Sequence, residues 1–264
     1  MLPVDFLSSE ITLRYGTIQR ARGCFLYTRK GVRLTDMYQE GGRAVLGWGG
    51  SSAFTMFKDT LARGLTGSFD TDYTPRITKA VCDLLAGERI VYICRDRNEA
   101  LKTALLFSKD STSFWRPWNQ EGTDWNSVNA VIVAPPLPWT PDLYFTAVKP
   151  DCVSVPEAAA SARIPAPLAA AAARSIYNMI DALQYREEKD WFIYDTVLTP
   201  YFTRRGPYLY PKVSEENYGA FILHCLDCGI VISPDYNVPS IVPFGADKGV
   251  FGKLKNSPFE AAHD

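Results

Sequence analysis

Residues 165–184 constrain the chain most. Pro165-Ala166-Pro167 suits a helix's first turn, where the missing proline N–H is not needed. Leu168, Ala172, Ile176, Met179, Ile180 and Leu183 then recur at helical spacing. The alanine tract among them has little bulk, so this helix is expected to be packed closely by a neighbour. It is not low complexity of the disordered kind.

Four other places carry helical signals. One helix is expected over 52–63, closed by Gly64. Thr74-Pro75 predicts a second, with Thr74 as N-cap, Ile77, Val81, Leu84 and Leu85 on one face, and Gly87 as its end. A third is expected over 98–109, with Leu101, Ala104 and Leu105 on the core side. Ser214 is expected to cap a fourth over 215–228, stopped by Gly229. The opening reads as short strands and turns, with strands near 23–28 and 32–38. Further strands are predicted at 89–94, 129–134, 143–148 and 230–234. Residues 110–128 read as a loop carrying Trp115, Trp118 and Trp125, and Pro135, Pro136, Pro138 and Pro141 block regular structure. The order describes a mixed α/β chain with a small domain built from both termini.

Composition excludes several classes. Hydrophobic residues make up 47% and charged residues 22% of the 264, enough apolar side chain to exclude disorder as the main state. The net charge of −1 makes no electrostatic case for nucleic acid or an anionic membrane, so neither partner is expected. No apolar run reaches the roughly 18 residues of a membrane span. Met1-Leu2-Pro3-Val4-Asp5 does not look like a signal peptide, and a cytoplasmic location is expected. The six cysteines are then expected to be reduced. With only 2 histidines, His224 and His263, no metal site is expected.

An ordered series of segments resembles the class III (ornithine/glutamate-semialdehyde-type) aminotransferases, pyridoxal-phosphate enzymes of fold type I. Residues 24–36 resemble the family's N-terminal strand, glycine turn and strand, and Leu46-Gly47 stands where Leu-Gly-His is common. Arg95-Asp96-Arg97-Asn98-Glu99-Ala100 falls where the family carries Asn-Ser-Gly-Thr-Glu-Ala. Residues 129–134 resemble its Ala-Val-Ile-Val-Glu-Pro strand, residues 165–183 its alanine-rich helix, and 215–234 a helix-turn-strand of its C-terminal domain. The resemblance implies an α/β, fold type I transferase-like architecture, with a shortened large domain and a retained α+β small domain. It places an N-terminal small-domain segment at 1–70, a truncated large-domain remnant at 71–160, and the long helix with the rest of the small domain at 161–264. It also implies a homodimer, with any small-molecule or protein partner left open.

Pyridoxal-phosphate chemistry needs a Schiff-base lysine, an acid on the pyridinium nitrogen, an anion cradle at a helix N-terminus, and a stacking ring. Residues 141–149 resemble the family's Pro-Asp-Ile-Val-Thr-Leu-Ala-Lys, which makes Lys149 the candidate Schiff-base lysine. Arg95, Arg97, Asn98 and Glu99 stand at the implied phosphate turn. There Asp96 adds negative charge and Arg97 replaces the glycine. The acid has no counterpart, because Ala134 runs straight into Pro135-Pro136. No intact cofactor site is therefore expected, and pyridoxal phosphate enters only through the resemblance. The leading expectation is a degenerate aminotransferase-like binding or interaction protein without transaminase activity. The alternative is a pyridoxal-phosphate enzyme using Lys149, and a third is a small-molecule binder using the Trp-rich loop.

Other constellations are weaker. Cys225-x-x-Cys228 lies near a helix C-terminus and reads as buried and structural. His224 has no recognisable nucleophile nearby. Asp36, Glu40, Glu187, Glu188 and Asp190 offer carboxylates, the last three in a charged, solvated run. Tyr201, Phe202, Arg204, Arg205, Tyr208 and Tyr210 read as a β surface. Residues 47–52 form a glycine-serine cluster without the lysine of a phosphate loop.

Overall fold

Leu7, Ile11 and Tyr15 recur one helical turn apart, and they begin the protein with a helix rather than the expected short strands. The computed structural model describes residues 3–67, 69–118, 123–140, 142–153 and 159–260. In chain order the elements are α1 (Pro3–Tyr15), β1 (Ile18–Arg22), β2 (Phe25–Thr28), β3 (Arg33–Asp36), α2 (Ser51–Ala62), α3 (Tyr73–Leu85), β4 (Ile90–Cys94) and α4 (Arg97–Phe107). Next come β5 (Thr112–Phe114), β6 (Ala130–Val133), β7 (Tyr144–Val148), α5 (Ala166–Tyr185), α6 (Lys189–Phe192) and α7 (Asp195–Leu198). The remaining elements are β8 (Phe202–Arg205), β9 (Tyr208–Pro211), α8 (Glu215–Asp227), β10 (Ile230–Val231), β11 (Ser240–Ile241) and α9 (Gly252–Asn256). They form two units, one of residues 50–185 and one joining 1–49 to 186–264. No described helix is long and apolar enough to cross a membrane.

The unit of residues 50–185 is built on a sheet in the order β4-β7-β6-β5. Strand β7 runs antiparallel to both β4 and β6, and β5 runs parallel to β6. All four residues of β6 are buried, as its uninterrupted apolar run requires. Helix α4 packs on β6 and β7. Helix α5 packs against α2 and α3 with Ala169, Ala170, Ala171, Ala172 and Ala173 buried, the close approach that small side chains permit. Helix α3 buries Ile77, Ala80, Val81 and Leu85, each large one stabilising the fold by roughly 1.5–3 kcal/mol. The outer edge of β4 is covered by the chain. Ile93 N–H donates to Ser161 Oγ at 2.9 Å and Ile93 O accepts from Ala162 N–H at 2.8 Å.

Local details differ from expectation. Helix α3 begins at Tyr73, not after Thr74, and Ala86 rather than Gly87 takes the left-handed C-cap, with φ 51°. Gly87 matters for a different reason. A Cβ there would stand 2.5 Å from Asn126 Oδ1, so the loop after Asp124 needs a glycine beneath it. Strand β5 lies inside the expected loop 110–128. It is three residues long and without visible alternation, and its pairing to β6 holds it in place. Ser214 precedes α8 in an extended conformation but makes no capping hydrogen bond with its side chain.

In the unit joining 1–49 to 186–264, β1, β2 and β3 form an antiparallel meander. Strand β10 adds to β3 in parallel, so both ends of the sequence share one sheet. A second sheet has the order β11-β9-β8. Leu34, Met37, Tyr194, Phe202, Phe221 and Phe251 are fully buried here. Asp36, 1% exposed, ties the turn after β3. Its Oδ1 accepts from Tyr38 N–H at 3.0 Å and Gln39 N–H at 2.9 Å, and its Oδ2 accepts from the Trp48 indole at 2.7 Å. Gln39 and Glu40 beyond it have φ of 47° and 51°, and those fastened N–H groups help hold that left-handed turn.

Candidate cofactor site

A phosphate cradle depends on unoccupied N–H groups at a helix N-terminus. Helix α4 starts at the carboxyl end of β4, where a crevice in an open α/β sheet would lie. Its N-cap is Asp96, whose Oδ1 accepts from Glu99 N–H at 2.7 Å. Glu99 turns back, and its Oε2 accepts from Arg95 N–H at 2.6 Å. Asp96 thus caps one donor of the helix, the Glu99 N–H, while Glu99 fastens the residue before the cap. The Arg95 N–H bond and the Arg95 guanidinium hold the Glu99 carboxyl below its ordinary range despite some desolvation. Two carboxylates therefore stand at the turn where the resemblance implies a phosphate. Their charge opposes an anion there, and Asp96 uses one of the helix donors it needs. Arg97 lies with its guanidinium 4.8 Å from the centroid of the Phe114 ring, and Asn98 is exposed. The residues present do not fit pyridoxal phosphate at this turn.

Lys149 lies elsewhere. In the β4–β7 pairing Cys94 faces Tyr144 and Ile90 faces Val148. Lys149 thus sits beyond one end of the pair and Arg95 beyond the other, roughly 20 Å apart along the strands. The Lys149 ammonium reaches towards Ser127 O at 3.5 Å, a long contact. The structure does not bring Lys149 together with Arg95, Arg97, Asn98 and Glu99. Sequence spacing alone could not show this, because the separation follows from strand register.

The tryptophans are also divided. Trp115 N–H donates to Ile132 O at 2.9 Å, extending the β5–β6 pairing at its far end. The Trp125 carbonyl accepts from Arg89 at 2.6 Å near the opposite end of the sheet. Arg89, buried just before β4, also donates to Val128 O at 2.7 Å and Asn129 O at 3.1 Å. It is a clamp on the loop, and nothing in its local sequence marks it. The indole N–H groups of Trp115 and Trp125 are buried without an acceptor among the described residues.

The remaining candidates have structural partners. Cys225 and Cys228 are buried and free, and burial raises both thiols above their ordinary range. The His224 Nε2 lies 2.9 Å from Ser257 O. Among the described residues no cluster of His, Cys, Asp and Glu is arranged to hold a metal ion. Glu188 and Asp195 pair with Arg204 on β8, Glu187 pairs with Lys189, and Asp190 Oδ2 accepts from Glu187 N–H. Tyr201 and Phe202 pack on Phe221. In the glycine-serine segment, Ser52 Oγ bonds Asn178 Oδ1 and Arg174 Nε, each at 2.8 Å, and so fastens α2 to α5.

No family model matches the chain. An uncharacterized protein of Treponema pallidum is 27% identical over 292 residues, spanning 91% of this chain and 93% of that one. Among solved structures, an ornithine aminotransferase from Plasmodium yoelii superposes with a TM-score of 0.66 at 12% identity, covering 97% of both chains. An N-acetylornithine aminotransferase from Stenotrophomonas maltophilia superposes with a TM-score of 0.63 at 14% identity, covering 95% of this chain and 96% of that one. The fold is the mixed α/β fold of the pyridoxal-phosphate-dependent aminotransferases, in a chain of only 264 residues.

Proposed function

We propose that this protein uses the aminotransferase fold without its cofactor chemistry, as a binding or interaction protein that assembles as a homodimer in the cytoplasm. The carboxylates of Asp96 and Glu99 at the start of α4 carry this reading, because they set negative charge at the turn where the resemblance implies an anion. The separation of Lys149 from that turn supports it further. Self-association is supported by α2, where Phe54, Phe57 and Leu61 recur at helical spacing and Phe54 and Leu61 are 47% and 46% exposed. Trp139 packs edge-on against both rings, at 6.1 and 5.0 Å, and widens the apolar stripe. A two-fold contact would cover it. The six cysteines, none in a disulfide, support a reducing compartment.

The test supplies pyridoxal phosphate and a set of amino donors to the purified protein and follows the visible spectrum and keto-acid release. Neither a saturable cofactor band nor donor turnover is expected. Turnover that disappears in Lys149→Ala would overturn the proposal. Sedimentation should give a dimer, with Phe57→Glu shifting it to monomer; a monomeric parent protein would refute the assembly.

A further inference from the structure

The meander β1–β3 has one face on the core and one face outward. Leu26, Thr28, Leu34 and Asp36 point inward and are buried. The outward positions alternate with them, as strand geometry requires. They are Arg20 and Arg22 on β1, Phe25 and Tyr27 on β2, and Arg33 and Thr35 on β3, with Thr35 buried opposite Phe25. The three arginines are exposed and the two rings half-buried. Register places Arg20 opposite Tyr27, Arg22 opposite Phe25, and Tyr27 opposite Arg33. Two aromatic rings thus stand two residues apart, about 6.6 Å along one strand. Arginines flank them on both sides. The Arg20 guanidinium carbon is 5.5 Å from the Tyr27 ring centroid, and that of Arg33 reaches diagonally to 4.5 Å from the Phe25 ring.

None of these arginines takes part in an ion pair among the described residues, whereas Arg14, Arg95 and Arg204 do. Asp36 is the one acidic residue within strands β1, β2 and β3, and it points into the core. The whole-chain charge of −1 hides this local excess of three positive charges. Arginines without a carboxylate partner, set around half-exposed rings, suit a ligand that offers both anionic groups and flat apolar faces. An acidic peptide offers the second only at its aromatic residues. Duplex nucleic acid hides its base faces in the stack, while a single strand presents phosphates and bases together.

We propose that the outward face of β1–β3 binds single-stranded nucleic acid. Arg20, Arg22 and Arg33 contact phosphates, and as the Arg20 and Arg33 guanidiniums swing from the Tyr27 and Phe25 rings to those phosphates, the rings receive bases. This site does not depend on whether the protein holds pyridoxal phosphate, and its test has no bearing on that question.

Fluorescence anisotropy of a labelled oligouridylate, titrated with the full chain, is the test. Three phosphate contacts on a single strand give a slope of about −2 for log K against log salt, so affinity falls roughly 20-fold between about 50 and 200 mM salt. Arg20→Ala and Arg33→Ala should each flatten the slope by about 0.7. Tyr27→Leu should weaken binding roughly 5-fold or more and leave the slope unchanged, because lost stacking carries no counterions. Circular dichroism melting checks that each variant is folded. Should a variant unfold, competition against the parent protein decides instead: unlabelled oligouridylate displaces the probe, while polyglutamate and a duplex of equal length do so far more weakly. No saturable binding at low salt would overturn the proposal. So would binding indifferent to both arginine substitutions, or polyglutamate or the duplex competing as well as the single strand.

Discussion

Asp36 makes the stability of this protein depend on pH in an unusual direction. Burial raises its carboxyl from the ordinary 3.8 to about 6, against the pull of three hydrogen bonds, from Gln39 N–H, the Trp48 indole and Tyr38 N–H. A rise of about 2 pH units corresponds to about 3 kcal/mol. Between pH 3.8 and about 6 the folded protein holds a proton that the unfolded chain has lost. Stability from this group is therefore fully present below 3.8 and is lost as pH rises to about 6. Asp36→Asn removes the titration. Its amide oxygen can still accept from Tyr38 and Gln39, but its NH2 group then meets the Trp48 N–H, donor against donor. That mismatch costs about 1–3 kcal/mol at about pH 4, and the gap to wild type should close or reverse by pH 7, where the buried charge is absent only in the variant. Urea unfolding of both proteins across this range is the assay. The difference between them should change by about 3 kcal/mol, with wild type favoured at the acid end. A difference constant with pH, or one favouring wild type more as pH rises, would refute the reasoning.

Three further substitutions test the packing and the caps. Ala172→Leu places a larger side chain in a fully buried position of α5 and should lower stability by about 1–3 kcal/mol in thermal melts. Arg89→Ala strands the carbonyls of Trp125 and Val128, while that of Asn129 keeps the Lys149 N–H. It should cost on the order of 2–4 kcal/mol and make the loop near Trp125 a preferred cleavage site in limited proteolysis. Asp96→Ala removes the N-cap of α4 and should cost about 1 kcal/mol in the same melts.

The elements visible in the sequence are those long enough to show a period. Helices α3 and α5 repeat their apolar positions over several turns, and β4, β6 and β7 are apolar runs bounded by turns and prolines. Strand β10 falls on the apolar run predicted at 230–234, though only Ile230–Val231 pair, whereas β5 and β11 are two or three residues long and pairing with distant segments defines them. Helix α1 escaped because only Leu7 and Ile11 of its apolar positions are buried, while Leu13 is 73% exposed. The candidate site was half legible. Asp96 in place of a small residue was visible as an obstacle to a phosphate. That Glu99 would turn back to accept from Arg95 N–H, and so stand beside Asp96, depends on backbone geometry. The remoteness of Lys149 depends on β7 running antiparallel to β4, a property of the pairing rather than of either strand. The outward arginines of β1 and β3 were lost in the chain's balanced net charge. Local excess shows only when register brings them around the same two rings.

The central claim is that the protein's own carboxylates take the place of a cofactor phosphate at α4. Borohydride reduction after incubation with pyridoxal phosphate, followed by peptide mapping, tests it most directly. The account predicts weak, substoichiometric label scattered over exposed lysines such as Lys58, Lys79 and Lys102. A saturable label of one per chain, confined to Lys149, would contradict it.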